Sequence, residues 1–475
     1  MSQSPFSREH LGEPADSVRA RRWQCLNKFA ARIASGLAQM PQTANTLCLN
    51  LEAPIAPAER LLSLPGFEQS VFWAPSADEE HAGVGIAQAL CATGDTRFAQ
   101  IRTAADRLFQ GLASVTLDAL PAPLPRLIGG FAFQAGRSAS PLWEGFGDAQ
   151  FLLPRLAYSR RGANAWLSLT AGFAEFASPS GRQRLASEAL AAFDALAEPI
   201  GASPPNLRAS WRIEESESAW STLVDGIRAE IDAGRLEKVV AARHVIVRGA
   251  LMPQPAQVLD RLRREAPGCT RFALIRGQQA FLGASPECLV KRKGSRLWAD
   301  AVAGSVQNLG TFTRETLFKD KKERCEHDIV VRAIRTTLAP HCELLSASGP
   351  HLHPLRHVVH LRTGFSGLLK DPMHVLDLVA RLHPTPAVGG SPRRAALAWL
   401  DAHEHADRGF FAGPFGAFDR YGDGQFVVAI RSGVLTPTAA HLYAGAGIVA
   451  GSQSAAELLE TRWKLRGLLG AVGIG

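Results

Sequence analysis

The chain has 475 residues, of which 46% are hydrophobic and 20% charged, which excludes a disordered, collagen-like or coiled-coil polymer. Lys plus Arg number 52 against 44 Asp plus Glu, a net charge of +8 that suits an anionic metabolite as well as nucleic acid. The densest basic runs, Arg19–Arg22 and Lys291–Lys293, are short and carry no aromatics, which argues against nucleic acid.

In chain order, the N-terminus shows no apolar signal core, and residues 21–40 read as a helix. Val71–Trp73 reads as a strand, followed by turn-like residues 75–83, and Leu127–Phe133 as a second strand. Arg182–Ala197 has helical spacing. Three prolines within 199–205 mark the best boundary. Residues 1–205 are therefore read as a variable N-terminal part, and 215–472 as the catalytic region. Beyond the boundary, Ser218–Ala233 reads as an amphipathic helix with Leu223, Ile227 and Ile231 on one stripe, ended by Gly234. A strand from Lys238 to Val247 leads into a meander at 272–302. A long helix is expected over Arg314–Leu338, strands at 416–418, 425–430 and 442–444, and a last helix over Ala455–Leu469. Strands that follow one another directly, with helices in blocks, predict an α+β fold with antiparallel sheets. Seven cysteines without any C-x-x-C spacing fit a reducing compartment, and no apolar stretch is long enough to span a membrane.

Several side chains can carry chemistry. Glu326 lies one turn before Val330, so it can point inward. Glu457 and Glu460, three apart, share a helix face. Two such helices face to face would make an oxygen-only site suited to Mg²⁺. Spacing alone equally describes solvated carboxylates, and favours them. Lys238 sits in an apolar strand; facing a pocket, with burial and nearby cations, it would become a usable base. Glu287 follows Pro286 at a strand end, where a carboxylic acid kept protonated can act as a general acid. Gly445 and Gly447 suggest a bend that brings backbone N–H groups to a ligand. Arg431, at a strand end, can clamp a carboxylate. The histidines of 351–360 are interrupted by Pro354 and make a poor metal site.

These pieces occur in an order that resembles the chorismate-utilising enzymes, the family of isochorismate, salicylate, anthranilate and aminodeoxychorismate synthases. The matching segments include LEKVVAAR (236–243), FLGASPECLV (281–290), KERCEHDIVVRAI (322–334), LHPTPAVGGSPRRAA (382–396), DRGFFAGPFGAF (407–418), LYAGAGIVAGS (442–452) and ELLETRWKL (457–465). The resemblance spans about residues 215–470. It implies an α+β fold of two large antiparallel sheets packed as a sandwich with helices outside. It implies chorismate as substrate and Mg²⁺ as cofactor, with Glu326 and Glu460 as ligands and Glu457 behind them holding water. Arg431 and Lys464 become carboxylate clamps, and Gly445 and Gly447 backbone donors. His360 and Ser305 become pocket residues.

Lys238 stands where water-using members have lysine and the ammonia-using anthranilate synthases have glutamine; the resemblance thus implies water rather than ammonia as nucleophile and no glutaminase subunit. Ala387 and Phe411 stand where pyruvate-releasing members tend to carry threonine and tyrosine. The resemblance is thus strongest to isochorismate synthases, cytoplasmic and monomeric, serving menaquinone, siderophore or salicylate synthesis. Salicylate synthase, or a catalytically silent relative, is the alternative. Two departures stand out. The arginine usual after Ser305 is absent, and Cys325 replaces a histidine.

Overall fold

Alternation along the strands decides the architecture. In the computed structural model, Phe72, Ala273 and Leu282 turn to one face of a sheet, while Trp73, Phe272 and Phe281, each one residue away, turn to the other. Each strand therefore feeds two apolar cores. The structure describes residues 15–39, 44–136, 140–201, 212–214, 216–310, 316–405 and 407–474. Most of the proline-rich boundary lies outside these residues.

The strands are β1 Thr46–Glu52, β2 Gln69–Ser76, β3 Glu79–Ala92, β4 Leu112–Thr116, β5 Leu127–Phe131, β6 Ala149–Arg161, β7 Asn164–Gly172, β8 Arg212–Glu214, β9 Lys238–Arg248 and β10 Thr270–Arg276. They continue as β11 Gln279–Ser285, β12 Cys288–Lys293, β13 Arg296–Gln307, β14 Cys342–Pro354, β15 Val358–Leu369, β16 Gly390–Ser391, β17 Pro414–Phe418, β18 Gly424–Val428, β19 Ser432–Leu435 and β20 Ala439–Ile448. The longer helices are α1 Ala15–Ala38, α2 Arg97–Gln110, α3 Phe173–Ala177, α4 Pro179–Ala197, α5 Glu217–Asp232, α6 Pro255–Glu265, α7 Lys321–Leu338, α8 Val375–Leu382, α9 Arg393–His403 and α10 Ser454–Val472.

Followed neighbour to neighbour, one run of ladders reads β4-β1-β7-β6-β3-β2-β10-β11-β19-β20-β9, with β8 and β16 on the far side of β9. A second run leaves β6 as β5-β17-β18-β12-β13-β15-β14. The start of β6 pairs with β5 and its end with β7, so one long strand serves both sheets. Among the described ladders only β1–β4 is parallel. The inner faces pack on each other: Phe415 of one run meets Phe272 of the other at 4.9 Å between ring centres, and Trp73 at 6.2 Å. α4, α6 and α10 cover the outer face of the first run through Leu185, Leu262 and Leu468. The expected α+β class and antiparallel sheets are thus present. No helix among the described residues is long and apolar enough to cross a membrane.

Several local expectations are corrected. The turn after β2 is confined to Ala77-Asp78, because Glu79 onward already pairs with β6. On α5 the fully buried stripe is Trp220, Val224 and Ile227, while Leu223 and Ile231 lie at its half-buried margin. The helix expected over Arg314–Leu338 is broken at Asp320: residues 316–319 are helical, and α7 starts afresh at Lys321, where the Asp320 carboxylate caps it by accepting the N–H groups of Lys322 and Glu323. Residues 311–315 lie outside the described residues.

Candidate active site

The site lies where the ends of the two sheets meet, between β9 and β20 on one side and β13 and β15 on the other. Helices α7 and α10 close it. A cavity is lined by Glu287, Ser305, Glu326, His360, Ala387, Phe411, Arg431, Gly445, Gly447 and Lys464, among others. Lys238, Glu457 and Glu460 are buried but do not form its wall.

Helix periodicity explains the acids. Glu323, Glu326 and Val330 share the inward face of α7, and all are buried. Glu457 and Glu460 do the same on α10. Each of three carboxylates is held by a lysine: Lys238 reaches Glu326 Oε1 at 2.9 Å, Lys322 reaches Glu457 at 2.7 Å and Lys464 reaches Glu460 at 2.5 Å. Burial alone would raise Glu326, but Lys238, Lys464 and Lys322 outweigh it and hold its carboxyl below the usual range. Glu457 moves the other way, raised by burial and by Glu460. Glu323 was not singled out in the sequence. Its Oε2 accepts the Ser305 N–H at 2.6 Å, and burial, with Glu326 and Glu460 nearby, pushes it up to about 7.

Lys238 departs from expectation in its surroundings. It is fully buried, but the charge it meets at 2.9 Å is the Glu326 carboxylate rather than a cation.

Glu287 follows the end of β11, just after Pro286. The Ser285-Pro286 turn holds it rigidly: Ser285 Oγ accepts the Glu287 N–H at 3.2 Å and donates to Val428 O at 2.6 Å. The side chain is buried, and its Oε1 has no hydrogen-bond partner. Burial, then the nearby Asp300 charge, raises the carboxyl to about 8. It is a neutral acid at pH 7.

The clamps come from a turn and a helix. Arg431 sits at φ +52°, a conformation that L-residues seldom adopt, which aims its side chain inward. Its Nη1 donates to Lys464 O at 3.1 Å and its Nη2 to His360 Nε2 at 2.9 Å. Burial lowers its pKa to about 10, so it remains a cation. Lys464 Nζ donates to Gly445 O at 2.8 Å. His360 Nδ1 lies 2.9 Å from Ser305 Oγ.

Gly445 and Gly447 do not form the expected bend; both lie within β20. Gly447 serves close approach: a Cβ there would fall 2.0 Å from Glu326 Oε1 and 2.9 Å from Lys238 Cε. The register still supports their role as donors. Opposite them, Ala242 and Val240 send their N–H groups away from β20, to Glu404 and Gly389 O. Gly445 and Gly447 therefore turn their own amides away from β9 as well.

Arg408 also lines the cavity and was missed. Its guanidinium ties Glu404, Val388 O and Val240 O together within 2.6–2.8 Å, which anchors the loops that carry Ala387 and Phe411. Phe411 stacks on Tyr443, 5.1 Å between centres, and neither Phe411 nor Ala387 brings a hydroxyl. Cys325 is exposed, so its replacement of histidine leaves the cavity untouched.

The family model for chorismate binding enzymes matches residues 36–473. The chain belongs to the chorismate-binding enzymes. The match reaches well into the first half, where the sequence segments alone offered little. Within the chorismate-binding enzymes, the salicylate biosynthesis isochorismate synthase of Pseudomonas aeruginosa is 35% identical over 409 residues, 82% of each chain. The isochorismate synthase MenF of Bacillus subtilis is 31% identical over 359 residues, 74% of this chain and 75% of its own. The solved structure of MenF, the menaquinone-specific isochorismate synthase from Escherichia coli, superposes with a TM-score of 0.75 at 26% identity, covering 94% of this chain and all of that one.

Proposed function

We propose that this chorismate-binding enzyme is an isochorismate synthase. Glu287 carries the reading. It is a carboxylic acid kept neutral near pH 7, with an unpartnered oxygen, in a cavity shared with two fixed cations. Similarity to isochorismate synthases over 74–94% of the chain supports it.

Arg431 and Lys464 bind the two carboxylates of chorismate, and the amides of Gly445 and Gly447 add donors. Glu287 gives its proton to the hydroxyl leaving C4. Lys238 takes a proton from the water that attacks C2. The ring double bonds shift as one oxygen arrives and the other departs, so atoms balance as an isomerisation. Lys238 must first part from Glu326 to act as base. Water as nucleophile needs no glutaminase partner.

The family implies magnesium, and the donor chemistry fits. Glu323, Glu326, Glu457 and Glu460 offer buried oxygen donors only, and both oxygens of Glu457 lack a hydrogen bond of ordinary geometry. Among the described residues no three acidic, imidazole or thiol groups already converge on one point; lysines hold all four acids. Glu326 and Glu460 would hold the ion, with Glu457 behind them. When bound it would orient the substrate carboxylate and offset negative charge.

Chromatography of products from chorismate plus Mg²⁺ tests the reading. A mixture of chorismate and isochorismate is expected. Absence of isochorismate would overturn it.

A further inference from the structure

Between the clamp and the cavity wall lies a short chain of hydrogen bonds whose proton positions follow from one group. Arg431 Nη2 stands 2.9 Å from His360 Nε2. A guanidinium nitrogen only donates, so His360 Nε2 must accept. The imidazole is then neutral, with its hydrogen on Nδ1. Burial and the surrounding cations Arg431 and Lys464 also disfavour the imidazolium. Nδ1–H points at Ser305 Oγ, 2.9 Å away, with the Gly304 carbonyl near as a further acceptor. Ser305 Oγ thus accepts a hydrogen bond from the ring and keeps its own proton to donate. Among the described residues no acceptor other than Nδ1 stands within hydrogen-bond distance of this hydroxyl, and Nδ1 is already protonated. Ser305 lines the cavity.

We infer that His360 is a positioning residue: fixed by Arg431 as the Nδ1–H tautomer, it turns the Ser305 hydroxyl proton into the cavity, where Ser305 donates to an oxygen of the dianionic substrate. This rests on the reading of the cavity as a chorismate site. The relay makes the arginine do two jobs. It meets substrate charge itself, and it sets the direction of a second donor two hydrogen bonds away. A serine in a site without such a fixed neighbour would rotate freely between donating and accepting.

The tautomer is testable without substrate. In ¹⁵N-histidine-labelled protein at pH 7.5, the His360 signals, identified by their loss in His360→Gln, should show a protonated Nδ1 and a bare Nε2. A protonated Nε2 would overturn the inference, whether or not the enzyme turns over chorismate. Kinetics test the consequence. Ser305→Ala should raise KM for chorismate about ten- to hundredfold, as expected for a hydrogen bond to a charged group, with kcat changed little. Ser305→Thr, which keeps the hydroxyl, should restore KM to within about threefold. His360→Leu should give the same KM defect, and the double variant should be no worse than either. Additive defects would show that His360 does not act through Ser305. If His360→Leu fails to fold, the alanine–threonine pair and the labelled spectrum still decide. Normal tautomer with no turnover by the parent enzyme would instead sink the assignment of function.

Discussion

Two places in this molecule bury several charges at once, and they do it differently. Near β2, β3 and β10, Arg271 is wedged between two glutamates: Nη1 donates to Glu59 at 3.1 Å and to Leu259 O at 3.1 Å, and Nη2 to Glu80 at 2.5 Å. Arg160 and Arg263 stand beside the same acids at 3.3 and 3.7 Å. Here the cations are planar guanidinium forks, which lock carboxylates in a fixed geometry. Beside Glu323, Glu326, Glu457 and Glu460 at the cavity the cations are lysines. An ammonium is a point charge on a flexible stem, and these pairs, Lys238 with Glu326, Lys464 with Glu460 and Lys322 with both Glu457 and Glu323, can be exchanged for other partners. Acids also outnumber these lysines there, four to three, and a neutral acid, Glu287, stands close by. Buried charge that only holds the fold is saturated with forks. Buried charge that must work is left with partners able to let go.

The contrast can be broken. Its strongest test is Glu287→Gln, which should lower turnover by about 10²–10⁴ without lowering the melting temperature, because Oε1 has no partner to lose. Chromatographic turnover and a circular-dichroism melt read both. The mirror experiment is Arg271→Met. It strands Glu59 and Glu80 and should cost about 3–5 kcal/mol in urea unfolding, with KM of the folded fraction unaltered. Loss of activity without loss of stability would erase the distinction. Next, Glu457→Gln should raise the Mg²⁺ concentration for half-maximal rate by about 10- to 100-fold, the scale seen when groups behind metal ligands are removed.

Acidity sharpens the same point. Glu287 must be protonated to act, so kcat/KM should fall about tenfold per pH unit above about 8, and Glu287→Gln should lack that limb. Its pKa is raised on folding, so the native state holds the proton longer. Stability should therefore decline as pH rises from the ordinary carboxylate range to about 8 and then level off, relative to Glu287→Gln. The smallest effect concerns product. With Ala387 and Phe411 supplying no hydroxyl, a lactate dehydrogenase coupled assay should find little pyruvate. Ala387→Thr with Phe411→Tyr should raise it only about fivefold, since two added donors at about 0.5 kcal/mol each contribute about 1 kcal/mol together.

Much of the site was legible because helix spacing is local. Glu326 with Val330, and Glu457 with Glu460, announce their shared faces without knowledge of the rest. The proline-stiffened position of Glu287 was equally readable. The glycines were misread as a bend because sequence shows what glycine permits, not what it avoids; the crowding comes from Glu326, far away in the chain. Glu323, Lys322 and Arg408 went unnoticed for the same reason. A charge is buried by partners on other elements, and those partners leave no local mark. In the fold, the α+β class followed from strands in direct succession. The exposed β14 lacks an apolar alternation, and the sharing of β6 between two sheets is a matter of long-range register.

That shared strand bears on how the chain can assemble. β2 pairs with β10 and β5 with β17, so hydrogen-bonded partners lie about 200 to 290 residues apart along the chain. Contacts of such high sequence separation make for slow folding. Synthesis from the N-terminus would leave β2 and β5 waiting as open edges until their partners emerge, and open edges invite pairing with other chains. The same stitching that closes the cavity between two sheets ties the first third of the chain to its second half, so a cut between them would strip β2 and β5 of hydrogen-bonded partners.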